Sequence, residues 1–481
     1  MRKRLLIFVL LFAGGALPLS GQVREEGQTL LFRPAENRTR VQVGFRMREE
    51  DDAYLPAEGK GLMQGELRAQ SRHSLDSIHR VEGQVCYERG VKRAVNWNTS
   101  SDWELLSPYI TLDTVGGNLQ KEQYRFAARF ASRPGRFFYS IWADYRALHE
   151  YRDVDPRPRN ITADLNVSAL GGLQMGAYAL SLEAGYRRYH QREDVEFMDP
   201  RGNNTSVLHY LGFGRYSTRF SGAKKSTAVR FDGNGVNARL VLEPVDGLGW
   251  IGGASYAWLQ MVRHLPGSNE TPMSKLLNQE IGLYGGHKWA RTYIRTDARL
   301  RLKTGTENIV DPSSAFTVLG GLPMVHALSW KGSVSGFHSW ERERVTWTLQ
   351  PHLAYEGSSW QNGQPEAGMA FHYAQATATG SAAFHAGAWR FRIEGETGVR
   401  LCITSHRDLG NLSLDSRFQT YFNHLYGRFS DHLVHGGLKA VVGRKVAKDL
   451  LLYARPEVAY RHSLKEGHHR WDALLAIGLD F

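Results

Sequence analysis

The chain has 481 residues, of which 42% are hydrophobic and 11% aromatic, and a mean hydropathy of -0.41. It is too polar for a bundle of membrane-spanning helices, each of which needs an apolar run of about 20 residues, and its two cysteines, Cys86 and Cys402, are too few for a disulfide scaffold. A net charge of +12 would suit nucleic acid, but the basic residues are spread along the chain rather than gathered, so no nucleic-acid partner is expected.

The first 21 residues read as a secretion signal. Arg2, Lys3 and Arg4 supply the positive region, Leu5 to Ala13 the apolar stretch, and Leu19, Ser20 and Gly21 the exit before Gln22. The run is short for a membrane anchor, and no cysteine lies at the exit to carry a lipid. Residues 22–37 are expected to form a short periplasmic tail, too short for a plug domain, and residues 38–481 a single domain.

From Arg38 onward the dominant signal is alternation. Successive side chains of a strand point to opposite faces. A strand between lipid and a polar lumen therefore alternates apolar with polar for about 10 residues. Tyr124, Phe126, Ala128 and Phe130 alternate with Gln123, Arg125 and Arg129. Phe137, Tyr139, Ile141 and Tyr145 alternate with Ser140, Asp144 and Arg146. Ile294, Ala298, Leu300 and Leu302 alternate with Arg295, Asp297, Arg299, Arg301 and Lys303. Val345, Trp347, Leu349, Leu353 and Tyr355 alternate with Thr346, Thr348, Gln350, His352 and Glu356. Trp389, Phe391, Ile393, Val399 and Leu401 alternate with Arg390, Arg392, Glu394, Glu396 and Arg400. Leu450, Leu452, Val458 and Tyr460 alternate with Arg455, Glu457 and Arg461. No packed core tolerates charge at this frequency. The last segment sets Trp471, Ala473, Leu475, Ile477, Leu479 and Phe481 against Asp472, Leu474, Ala476, Gly478 and Asp480. Its carboxy-terminal aromatic, Phe481, resembles the signal read by the barrel-insertion machinery of outer membranes.

The expectation is an all-β fold, a single transmembrane antiparallel β-barrel in the bacterial outer membrane with outer-membrane lipid around it. Short periplasmic turns are expected at Ser74–His79, Arg133–Arg136, Gln174–Ala177, Pro244–Gly249, Lys288–Arg291, Glu341–Arg344, Gly387 and Lys445–Asp449. With a first strand near Arg38–Met47 and the final one, these turns give about 18 strands, within 16–20. Long extracellular connections are expected at 97–119, 150–161, 191–234, 265–277, 304–325 and 406–432, where Asn, Asp, Gly and Pro gather. The longest, 191–234, should hold a hairpin of its own, Leu208–Arg219 with Ser226–Gly233, and is the best candidate to fold into the pore.

Two segments have distinctive wording. One runs Val95, Asn96, Trp97, Asn98, then Ser101, Asp102, Pro108, Tyr109, Asp113, Gly116, Gly117 and Tyr124. The other has Tyr145, Arg146 and Ala147, then Tyr151, Arg152 and the run Asp155 to Asn160. Together they resemble a family of uncharacterised outer-membrane barrels of the Bacteroidota, over most of the mature chain. That resemblance implies an accessory role beside a TonB-dependent receptor in nutrient or metal uptake; a surface lipoprotein is a further partner expected only if the loops plug the barrel and bind a partner. It carries no assigned functional residue.

The chemistry-bearing candidates are the charged residues of the polar faces. Arg125, Arg129, Arg295, Arg299, Arg301, Arg390, Arg392, Arg400, Arg455 and Arg461 face Glu82, Glu88, Asp144, Asp297, Glu394, Glu396 and Glu457. They are expected to line the lumen, either as a basic pore that favours anionic solutes or as a wall of paired charges. Arg157 and Arg159, in an expected outer loop, could grip an anionic group. His424, Asp431, His432, His435, His462, His468 and His469 are numerous near the C-terminus, but no ligand spacing marks a metal site. No motif ties a serine, histidine and carboxylate together, so no catalytic residue and no cofactor are expected. The leading reading is a transport-class barrel, porin-like or accessory to an uptake system. The alternative is a barrel plugged by its loops that binds a partner, and a barrel hydrolase comes last.

Overall fold

The computed structural model describes residues 37–132, 135–198, 206–217, 226–265, 270–311, 317–364, 366–410 and 414–481. The expected signal segment and the expected tail, up to residue 36, lie outside the described residues, as do 199–205 and 218–225 of the expected pore loop.

Eighteen antiparallel strands close into one barrel. The first, Arg38–Glu50, pairs on one side with Gly61–Ser74 and on the other with the last, His469–Asp480. At that seam Phe481 donates its backbone N–H to the Thr39 carbonyl at 2.8 Å. Short turns fall at all eight expected places, between Ser74 and His79, Ser132 and Phe137, Met175 and Tyr178, Pro244 and Gly249, Lys288 and Thr292, Arg342 and Val345, Ala386 and Trp389, and Ala447 and Leu450.

The outward face is the apolar set of each strand. Val43, Phe45 and Met47, Leu349 and Leu353, and Leu475, Ile477 and Leu479 are all exposed. Their inward neighbours Leu474 and Ala476 are buried. Aromatic residues mark both limits of this belt. Phe137, Trp250, Trp289, Trp340, Trp347 and Trp389 sit at the short turns, whereas Tyr145, Tyr186, Tyr355 and Trp471 sit about eight to ten residues farther along their strands. A tilted strand needs about 9–11 residues to cross the hydrocarbon core, so the two rings lie where the membrane interfaces should be.

Most strands are longer than that crossing; Val318–Arg342 has 25 residues. They continue past the outer ring into water, and this corrects several expected loops. The connections 150–161, 191–234, 265–277 and 304–325 shrink to 152–156, 197–225, 266–270 and 311–317. Above the membrane, outward positions no longer need to be apolar. Arg188, His190 and Arg192, and Arg230 and Asp232, occupy the lipid-side face of strands that still form full ladders. Arg157 and Arg159 likewise lie on the strand Arg157–Met175 and not in a loop. Ser226–Gly233 belongs to the barrel strand Ser226–Pro244, and the hairpin of this segment is Val207–Gly212 with Arg215–Ser217.

Ile141 lies midway between Phe137 and Tyr145 on the lipid face and is 54% exposed. An Ile141→Arg exchange should destabilise the barrel by about 2–4 kcal/mol, the cost of a cation near the bilayer midplane. Denaturant titration in lipid vesicles measures it, and an unchanged midpoint would mean this face does not meet lipid.

Candidate functional site

The outer half of the lumen is filled by the barrel's own connections. Four enter it: 51–60, 96–116, 206–217 and 414–432. The second and third meet as a small sheet in which Thr111–Asp113 pairs with Val207–Gly212, which pairs in turn with Arg215–Ser217. The fourth forms the helix Ser416–Phe429, capped at its N-terminus by the Asp415 carboxylate, which accepts the Arg417 N–H at 2.9 Å. Phe418, Tyr421, Phe422, Leu425 and Phe429 recur at helical spacing and are buried.

These side chains form one apolar core with the wall. Phe213 stacks on Phe422 at 5.8 Å, Tyr210 on Phe418 at 6.0 Å, and Trp97 on Tyr421 at 4.6 Å. Tyr189, Phe231, Met261, Phe371 and Tyr373 of the barrel strands complete it. Each such side chain contributes about 1.5–3 kcal/mol by leaving water, so the inserted segments form a docked plug.

A polar clasp fixes the plug's orientation. Asp102 accepts a forked pair of bonds from Arg146, the first at 3.0 Å, and a third from the Tyr189 hydroxyl at 2.8 Å. Behind them Arg187 holds Asp164 through two bonds of 2.8 Å. The Glu193 carboxylate accepts from the Thr99 and Ser100 hydroxyls, the latter at 2.6 Å. Asn160 donates to the Thr99 carbonyl at 2.5 Å. Arg152 binds Asp113 and, through Nε, the Pro156 carbonyl at 2.8 Å. It packs against Gly117, where a Cβ would sit 2.9 Å from Arg152 Cδ and where φ is +150°; only glycine meets both demands. Arg263 donates to Nδ1 of His209 at 2.8 Å.

Asp102 and His209 are among the plug groups with strongly displaced ionisation. Burial alone would raise the Asp102 carboxyl, but the Arg146 guanidinium and the Tyr189 hydroxyl outweigh it and bring it down to about 2. Burial, reinforced by the Arg263 charge, holds the His209 imidazole down at about 3. His209 is therefore neutral at pH 7, as its accepting Nδ1 requires.

The lumen-lining candidates are mostly tied to partners. Arg125 bonds Asp144 at 2.8 Å, Arg392 bonds Glu394 at 3.1 Å, and Arg455 reaches Glu457 at 3.2 Å. Arg295 bonds Asp297 at 2.8 Å. Arg299 and Arg301 share Glu280, at 3.4 and 2.7 Å. Glu396 accepts from Thr379 at 3.2 Å. Arg129 is half-buried in the wall, and Arg390 is exposed at the short-turn rim. Arg400 and Arg461 sit higher, beneath Tyr54, away from the paired wall. Arg157 pairs with Asp155 at 2.8 Å and Arg159 faces outward, so they do not form an anion grip. His424 donates to or accepts nothing beyond the plug and its rim; its Nε2 bonds the Ala53 carbonyl at 2.8 Å, and Cys402 donates its N–H to His432 at 3.1 Å. Among the described residues no three metal-binding groups converge, and both cysteines are free thiols. The clasp residues Thr99, Glu193, Arg263 and His209 had no sequence signal beyond the unusual wording of 95–124 and 145–160. That wording turns out to name one side of the clasp.

The sequence matches a family described as a family of unknown function, DUF6850, over residues 28–481. The chain belongs to that family. No curated protein sequence matches it. Among solved structures, BauA, the ferric preacinetobactin receptor from Acinetobacter baumannii, is 8% identical, covering 93% of this chain and 80% of its own, with a TM-score of 0.44. The siderophore receptor PiuA from Acinetobacter baumannii is 8% identical over 93% and 82%, with a TM-score of 0.43. The ferric citrate transporter FecA in its unliganded form is 10% identical over 93% and 79%, with a TM-score of 0.42. No residue and no ligand is carried over from them.

Removing one partner of the clasp leaves a buried charge without its counter-ion. Arg146→Met should weaken docking of 96–116 by about 3–5 kcal/mol. Hydrogen exchange of that segment should accelerate while the barrel strands stay protected; equal protection in both forms would mean the pair does not hold the plug.

Acid should loosen the plug through His209. Its pKa is lower docked, about 3, than free, 6.5, so below pH 6.5 the undocked form binds the proton first. Docking then weakens by up to about 1.4 kcal/mol per pH unit as pH falls from 6.5 towards 3. Asp102, depressed from 3.8 to about 2, contributes fully above pH 4 and is lost only below it. Protection of 206–217, corrected for intrinsic exchange, should fall between pH 6.5 and 5, and His209→Gln should abolish that slope.

Proposed function

We propose that the protein is an outer-membrane transport barrel held closed at rest by its own loops, serving as an accessory in a nutrient or metal uptake system. Residues 1–21 direct it to the periplasm and are removed, and Phe481 at the closing seam serves barrel insertion. The observation that carries the reading is the plug: its apolar core is continuous with the wall, and its charged clasp seats it in one position. A barrel of 18 strands is wide enough for an aqueous lumen, and below the plug that lumen is lined by charged side chains. An open porin would have no use for a core built across its bore. The functional state is therefore gated, and a partner or ligand that favours the displaced plug opens it.

A second reading, docking of a TonB-dependent receptor or surface lipoprotein, is favoured by one patch. Val115, Val154 and Met198 are exposed side by side around the Arg152 clasp at the outer rim.

In planar bilayers the wild-type chain should show little steady conductance. Replacing 98–115 by a short Gly-Ser linker should raise stepwise conductance at least severalfold. A wild-type channel as conductive as the linker variant would overturn the closed reading.

A further inference from the structure

At mid-lumen, under the plug, the wall departs from one-to-one charge pairing. Arg48, Arg461 and Arg470 all face Glu50. Arg470 bonds it at 2.7 Å, Arg461 lies 3.9 Å away, and Arg48 is within electrostatic reach. The register explains the gathering. Glu50 pairs with Arg470, Arg470 with Arg461, Arg461 with His435, and His435 with Gly398, two residues from Arg400. Arg46 approaches Asp472 at 3.9 Å, and Arg470 reaches the same carboxylate at 3.5 Å. Four guanidinium groups, those of Arg46, Arg48, Arg461 and Arg470, thus meet two carboxylates, Glu50 and Asp472. Arg400 adds a fifth beside Glu356, a carboxylate it shares with Lys331, which lies 3.8 Å from it.

The roof of this chamber is Tyr54 from the inserted connection 51–60. Its ring lies 4.6 Å from the Arg461 guanidinium, and its hydroxyl accepts from Arg400 at 2.9 Å. Arg400 also stacks on Tyr373 at 4.4 Å and is only 2% exposed, yet its Nε has no hydrogen-bond partner. The Nε of Arg48 is unpartnered too; its terminal nitrogen donates to the Glu58 carbonyl, not to a carboxylate. From below the chamber is open, since Asp472 and Arg46 keep side-chain exposures of 25% and 21%.

A largely buried chamber in which guanidinium groups outnumber carboxylates, and in which Arg48 and Arg400 each keep an unused Nε–H, is incomplete without an anion. Guanidinium groups favour planar or tetrahedral oxyanions that accept two bonds at once. We propose that Arg48, Arg400, Arg461 and Arg470 form a binding site for the carboxylate or phosphate group of an anionic solute, with Tyr54 as its lid. The assignment deepens the transport reading and rests on it for its biological meaning.

The test uses the detergent-solubilised full chain, with no conductance measurement, so it stands or falls apart from gating. Inorganic phosphate is titrated by calorimetry, and succinate is then used as competitor. Saturable phosphate binding should weaken at least tenfold in Arg48→Gln and in Arg461→Gln. Arg192→Gln, on the outer wall, should bind as wild type does. Competition by succinate would assign the site to oxyanions generally, and its failure to phosphate alone. Heat-modifiable mobility reports folding; if Arg461→Gln does not fold, Arg48→Gln decides, because Glu50 keeps Arg470 and Arg461 when Arg48 is replaced. No saturable binding of either anion, or undiminished binding in Arg48→Gln, would overturn the proposal.

Discussion

In hydrocarbon a peptide group has no water to bond to, so each N–H and C=O must find a partner within the protein. For a chain built of strands, that demand is met only if the first and last strands pair, as Arg38–Glu50 and His469–Asp480 do here. Closure fixes the rest. Eighteen strands in a ring leave a bore too wide for wall side chains to fill. Such a bore must hold water, or it must be packed with additional chain. In this protein the outer half is packed and the inner half is lined by charge.

The packing material comes from the loops rather than from a separate domain, and this shapes what the plug can do. Each inserted segment is held at both ends by barrel strands. The connection 96–116 leaves His79–Val95 and returns at Gly117–Ser132; the helix Ser416–Phe429 lies between Trp389–Asp408 and Leu433–Ala447. Such segments cannot leave the barrel. They can only swing upward while their ends stay paired. The clasp concentrates buried polar bonds on one side, where Asp102, Asp113 and the Thr99 and Ser100 hydroxyls meet Arg146, Arg152, Tyr189 and Glu193 of residues 137–196. The helix, on the opposite side, is held mainly by aromatic packing, together with the Arg428–Asp52 pair at 2.7 Å. Apolar contacts tolerate sliding better than forked ion pairs, which have one geometry. The helix side is therefore the softer one, and the clasp side the hinge.

How much of this was legible follows from which forces leave a periodic trace. Lipid demands an apolar residue at every second position, so Phe137, Ile141 and Tyr145, or Trp471, Leu475 and Phe481, announce the strands and their faces. Tight turns demand particular residues, and the eight short connections stood out. Pairing within the lumen wall was half legible. Residues two apart share a face, so Arg295 with Asp297, Arg392 with Glu394 and Arg455 with Glu457 are pairs written along single strands. The cross-strand partner of Arg301, Glu280, depends on register, which no single strand encodes. Above the membrane the lipid constraint lapses, alternation loses its polarity, and strands such as those bearing Arg192 and Arg230 look like loops. The plug was least legible of all. Its contacts join residues hundreds of positions apart, and Tyr54 to Arg400 is one such contact. Only the odd wording of 95–124 and 145–160 hinted that something other than a wall was being built there.

The same contrast separates the two kinds of charge in the lumen. Paired charge along the lower wall makes that surface wettable without giving it a strong field, because arginines such as Arg125, Arg301 and Arg455 are offset by carboxylates within about 3 Å. The arginines beneath Tyr54 outnumber the carboxylates they share, and they lie under the plug, where the local field is least screened. A solute entering from the inner end would cross neutral, wet walls and meet the strongest potential at the plug's underside. Gate and charge thus coincide at one depth in the barrel. An anion that settled against Arg400 and Arg461 would compete with Tyr54 for the same guanidinium groups. Occupancy and plug position would then be coupled through shared contacts, with no need for a longer path between them.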